Sequence, residues 1–248
     1  MSSPRIIAAI AKREWSAYFN SPIAYVFIVI FLVLAGFLPF AVTGFFEAGQ
    51  ATLRPFFFWH PWVYLILVPA VAMRLWAEER RSGTIELLLT LAVTPGQAIL
   101  GKFIAAWLFL LLSLALTFPI VLTTLYLGSP DRGVILSGYI GSALLAGAYL
   151  SVGMFTSAMT RNQVVSFVLA VVLGLFLMLA GFPPVTDLLV RWAPEALVNG
   201  VAAFGFMAHF ETMQRGIVDL RDLAYFASVI LFMLFATYAV LTARSGRN

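Results

Sequence analysis

Between its charged residues the chain carries six long apolar runs, at 15–46, 55–73, 103–130, 133–160, 162–186 and 223–243. A helix crosses the ~30 Å hydrocarbon core with about 20 apolar residues, each rising ~1.5 Å. All six runs therefore reach across a bilayer. Two shorter runs, 87–101 and 196–210, amount to only about 22 Å of helix each and cannot span. The pattern predicts an all-α integral membrane protein with spans at about 22–43, 56–75, 103–127, 135–159, 164–182 and 223–243.

Between the spans the pattern is finer. Residues 4–19, PRIIAAIAKREWSAYF, place Ile7, Ala11, Trp15 and Tyr18 on one face with Lys12 and Arg13 off it, as in a helix lying in the membrane interface. Asn20-Ser21-Pro22 supplies a cap and a proline at the first helical position of span 1. The aromatic run FFFWHPW at 56–62 reads as an interfacial belt. Segment 76–102 joins spans 2 and 3, and segment 183–222, opening on Pro183-Pro184, joins spans 5 and 6.

Composition agrees with lipid as the solvent: 62% of residues are hydrophobic and 10% charged, against about 25% charged in soluble domains. The first apolar run is far longer than a signal-peptide core. Without cysteine, the chain has no disulfide framework, thiolate metal site or cysteine nucleophile. Lys and Arg fix the orientation. With both termini cytoplasmic, the inside segments hold ten basic residues and the outside segments five. The net charge of +4 is thus a topology signal and gives no reason to invoke nucleic acid.

Candidate chemistry is sparse. Gly96 to Gly101-Lys102 matches seven positions of a phosphate-binding loop, but Phe103 stands where a Mg²⁺-binding hydroxyl is needed, and a membrane span follows. His60 and His209 lie far apart without a metal-ligand pattern. The middles of the spans carry almost no ionisable residue, which argues against an ion-coupled carrier or pump. No catalytic, cofactor or metal residue is expected. In span 4, Gly138, Ser142 and Ala146 recur every four residues, as do Ala143, Gly147 and Ser151. Small residues at that spacing let helices approach closely; lining a translocation path is the competing use.

The stretch EERRSGTIELLLTLAVTPGQ, 78–97, is the most unusual. Glu78, Glu79, Arg80 and Arg81 form a charged lip. A helix starting at Gly83 or Thr84 would carry Glu86 in its positive first turn. Glu86, Thr90 and Thr94 would then form one polar stripe at i, i+4 and i+8. Such a helix could dock a soluble partner, or be an ordinary amphipathic loop. On the other side of the membrane, Glu211, Arg215 and Asp219 also fall at i, i+4 and i+8. Arg221 and Asp222 mark the start of span 6. These five charges read either as a solvated cap or as a contact for an external partner.

The run AEERRSGTIELLLTLAVTPGQAILGK resembles the coupling-helix segment of type-2 ABC exporter permeases, in which E-x-x-x-G-T-x-E-x-L-L precedes the third span. The gliding-motility-associated permeases are the nearest likeness. KREWSAYFNSPIAYVF and HFETMQRGIVDLRDLAYF resemble the same subfamily. The resemblance implies a single transmembrane permease domain over 1–248 in the bacterial inner membrane, with an interfacial N-terminal helix, a coupling helix between spans 2 and 3, and short external helices between spans 5 and 6. It implies a pair with a second copy or a similar permease, an ABC ATPase dimer that binds ATP and Mg²⁺ on its own subunits, and an auxiliary membrane or periplasmic protein as a further partner. Glu79, Gly83, Thr84 and Glu86 take the coupling positions by the motif, with Glu78 the alternative first glutamate. The expected function is ATP-driven export; the alternative is a scaffold passing mechanical work to an envelope partner. The sequence names no substrate.

Overall fold

The computed structural model describes residues 3–43, 45, 49, 51–83, 93–191 and 194–245. Helix α1, Ser3–Phe19, is followed by α2, Pro22–Phe37, which runs on as a π turn over Leu38–Val42. Next come α3, Arg54–Phe58, α4, His60–Ala72, and α5, Arg74–Ser82. Helix α6, Pro95–Ala115, continues after a break as α7, Phe118–Leu127. Then follow α8, Arg132–Met159, α9, Gln163–Leu179, and three short helices, α10 (Pro183–Leu189), α11 (Glu195–Ala202) and α12 (Phe206–Gln214). Helix α13, Leu220–Ser245, closes the fold.

Among the described residues five helical stretches are long and apolar enough to cross a membrane: Pro22–Val42, His60–Ser82, Pro95–Leu127, Arg132–Met159 and Leu220–Ala243. The expected span 5 is an apolar helix of 17 residues, Gln163–Leu179, about 26 Å long. The three short helices fill the segment between it and α13, where short external helices were expected.

Local chemistry sets the boundaries. Ser21 accepts from the Ile23 amide, with Pro22 in the first turn. Asn162 caps α9 through Val164 and Val165, and Asp131 caps α8 through Gly133. Thr94 and Gln97 form a reciprocal capping box at the start of α6. Gly83 ends α5 at φ +73°, a left-handed stop natural to glycine.

Helix α8 is the hub: α4, α5, α6, α9, α12 and α13 all pack on it. Its small residues make this possible. A methyl group added at Gly138 would lie 2.3 Å from the Phe57 ring, and one at Gly153 would lie 2.4 Å from Cβ of Ala72. Gly147 sits under Trp107, whose indole nitrogen donates to the Ala143 carbonyl at 2.9 Å. Ser142, Ala146 and Ser151 are buried. The six residues of the small-residue pattern thus lie at close helix–helix contacts or beside them, within this protomer.

Candidate functional site: the ion cluster around Lys102

Helix α1 lies along α6. Its expected apolar face is half-buried, while Lys12 and Arg13 remain exposed. The close approach depends on Gly101, where an added methyl would meet the Ile10 side chain at 2.7 Å. One residue on, Lys102 is 3% exposed. Its Nζ lies 2.7 Å from Glu79 Oε1 on α5 and 3.3 Å from Glu14 Oε1 on α1. The same ammonium stands 5.3 Å from the centre of the Trp76 ring, within cation–π range. Arg13 adds a 2.8 Å contact to Glu14 Oε1.

One buried cation therefore joins three elements: α1, α5 and the start of α6. Burial tends to raise the Glu14 carboxyl pKa, but Lys102 and Arg13, by charge and by hydrogen bond, outweigh it and hold the group below its ordinary 4.5. Four residues further along α1, burial pushes the Tyr18 phenol above its usual range. That ring stacks on Phe109 of α6 with centroids 4.9 Å apart.

Span 2 reaches the cluster through a break. Helix α4 contains Pro69 and stops at Met73, and α5 begins at Arg74. First-turn amides have no acceptor within their own helix. Here the Ser157 hydroxyl oxygen, on α8, accepts from the Trp76 and Ala77 amides at 3.0 Å each and donates to the Met73 carbonyl at 2.8 Å. A side chain from the hub helix thus bridges the break immediately before the charged lip.

The coupling positions fare differently. Glu79 is in the cluster. Glu78 pairs with Arg74 at 3.5 Å on the surface of α5. Arg80 and Arg81 occupy the last turn of α5, and Gly83 ends it. Thr84 and Glu86 lie outside the described residues, as does Thr90. The charged lip lies on α5, Arg74–Ser82, which carries the expected span 2 helically beyond residue 75. One expectation here needs correction. Thr94 does not extend a Glu86–Thr90 stripe: its backbone is extended and it caps α6, because Pro95-Gly96 with Gln97 starts a new helix there. Span 3 consequently begins at Pro95, and the expected non-spanning run 87–101 ends inside it.

The charges at 211–222 also separate. Glu211 and Arg215 pair as the spacing predicted. Asp219 is not on their helix, since α12 ends at Gln214 and Gly216 turns the chain at φ +92°; its carboxylate accepts instead from the Arg221 amide. Arg221 is exposed. Asp222 faces inward, 5% exposed, with Oδ1 2.7 Å from His209 Nδ1. His209 Nε2 is 3.1 Å from the Ala203 carbonyl, and Tyr225 stacks on the ring at 3.9 Å. His60 is buried against the Phe56 carbonyl at 3.0 Å.

Sequence reasoning did not place Lys102 in a site, treating it as one more inside charge and as the last matched position of a rejected phosphate-loop pattern. Glu14 and Lys102 both interrupt apolar faces of neighbouring segments, which was the available signal. Ser157 and the His209–Asp222 pair had no comparable signal.

Long apolar helices around one small-residue hub, with the ion pairs of the described residues near helix ends, define a multi-pass helical membrane protein. Residues 63–242 match the model of the ABC-2 family transporter proteins, and the chain belongs to that family. It is accordingly a transmembrane component of an ABC transporter and is not itself the ATPase. Comparison with curated proteins found none that matches.

Proposed function

We propose that this chain is the export permease of an ATP-driven transporter, forming one six-span unit over 1–248 in the bacterial inner membrane with both termini cytoplasmic. Two copies, or this chain and a similar permease, pair above an ABC ATPase dimer that docks on the coupling segment 76–102. The carrying observation is the Lys102 cluster. It ties α5, which leads into the coupling segment, to α6, which leads out of it, and fastens both to the interfacial helix. A push on the segment between Gly83 and Val93 is then transmitted to spans 2 and 3 together with α1, because none of the three moves without separating buried charges.

The experiment is affinity purification from native membranes. The expected result is a stoichiometric soluble ATPase and ATP-dependent export in reconstituted vesicles. Glu86→Lys or Gly83→Pro should uncouple ATP hydrolysis from transport while the protein stays in the membrane. Absence of an ATPase, or normal transport by both variants, overturns the reading. ATPase stimulation only by an envelope protein would establish the mechanical scaffold instead.

A further inference from the structure

A groove enclosing about 390 Å³ runs between α1, α2 and the α4–α5 stretch. Ile23, Val26 and Ile30 of α2 form one wall, and Leu67, Ala70 and Val71 of α4 the other. The three α2 residues are 56, 55 and 43% exposed, so the groove opens sideways toward the bilayer. Ile23 to Ile30 covers about 10 Å of helix, which gives the apolar part the depth of a partial acyl chain. At the α1 end the lining becomes polar: Ser21, Arg74 and Glu78, with the Lys102 cluster behind them.

The charges at that end select an occupant. Three carboxylates (Glu14, Glu78 and Glu79) and two cations (Arg74 and Lys102) line the groove. Lys102 is clasped by two of the carboxylates, whereas Arg74 and Glu78 stand partly exposed at the mouth and touch only at 3.5 Å. Arg13 pairs with Glu14 behind the lining, so the buried cluster carries no surplus of either sign; at the mouth an anionic head group would be opposed by Glu78 and a lone amine by Arg74. A zwitterion satisfies both: a phosphate on the guanidinium fork and an ammonium on the Glu78 carboxylate. We infer that this groove binds one zwitterionic phospholipid with a primary ammonium head group, of the phosphatidylethanolamine type. Its head lies between Arg74 and Glu78, and one acyl chain lies between α2 and α4. The site belongs to the single protomer and stands whether or not an ATPase docks below it.

The test is native mass spectrometry of the detergent-purified full chain, titrated with phosphatidylethanolamine or phosphatidylglycerol. The wild type should retain one phosphatidylethanolamine in preference to phosphatidylglycerol. Ala70→Phe, which fills the groove, should reduce retention. Ile30→Trp does the same from the lipid-exposed wall, where folding is not at stake. Glu78→Gln removes one charged partner and should lower the preference by about tenfold. Equal retention of the two lipids by the wild type, or unchanged retention in both groove-filling variants, overturns the proposal. So does an efficient disulfide between copies carrying Val26→Cys in this cysteine-free chain, which would show the groove covered by a second protomer. ATPase co-purification, measured on the Ala70→Phe and Ile30→Trp variants, whose residues lie outside the coupling segment, should stay at the wild-type level and separates this outcome from failure of the permease reading.

Discussion

The ammonium of Lys102 lies 2.7 Å from the carboxylate of Glu79, in a pair whose lysine is 3% exposed and whose glutamate side chain is 19% exposed. Taking a lysine out of water costs several kcal/mol unless partners compensate. Glu79, Glu14 and the Trp76 face do so here. Removing the cation leaves two carboxylates facing each other without it. Lys102→Met should therefore destabilise the protein by about 3 kcal/mol, measured by thermal unfolding in detergent. Adding Glu79→Gln and Glu14→Gln to it should recover much of the loss; no recovery would mean that lysine packing, not charge, matters.

Acid should loosen the same junction. The folded-state pKa of Glu14 is below its ordinary 4.5. Its contribution to stability is fully present above the unfolded value and is lost as pH falls through the folded one. Wild-type stability should thus fall on acidification below pH 4.5, and Glu14→Gln should show a shallower fall. Parallel pH profiles for the two proteins would contradict the assignment.

Ser157→Ala removes the acceptor shared by the Trp76 and Ala77 amides and the donor to the Met73 carbonyl. Leaving buried polar groups unmatched costs about 1–3 kcal/mol. Hydrogen exchange should report the loss first at 74–77, ahead of the rest of span 2. Uniform exchange along 60–82 would argue that the break is not held by this hydroxyl.

Gly153→Ala places its methyl 2.4 Å from Cβ of Ala72, and helix backbones must separate to admit it. Overpacking of this kind costs about 1–3 kcal/mol. Gly96→Ala meets nothing within 4 Å and should be neutral or slightly stabilising. Equal melting temperatures for the two variants would show that α8 does not pack as described.

His209→Ala strips Asp222 of its Oδ1 partner while the carboxylate remains buried. A loss of about 2–4 kcal/mol is expected, with limited proteolysis cutting first near α12. His209→Ala/Asp222→Ala should be less destabilised than His209→Ala alone. If the double variant is the worse, the pair contributes through packing against Tyr225.

The solvent and the elements were legible along the chain. Apolar runs of bilayer length, caps such as Ser21, Asn162 and the Thr94–Gln97 box, and small residues repeating along 138–151 are local signals. They act within a few residues of where they are written. Charge placement at 78–83 likewise marked a polar lip, and the Glu211–Arg215 pair followed from helical spacing. Among the described residues, local spacing misled where a helix boundary intervened, at Thr94 and at Asp219.

Which charges meet is set by how the helices pack. Glu14, Glu79 and Lys102 come from three separate segments, and Ser157 reaches Met73 across 84 positions of sequence. A buried charge or hydroxyl is satisfied by whichever partner packing brings within about 3 Å. That partner depends on how closely helices approach, here through Gly101 against Ile10 and Gly153 against Ala72. Periodicity along one segment carries no record of the neighbour it will face, so the site was assembled by packing.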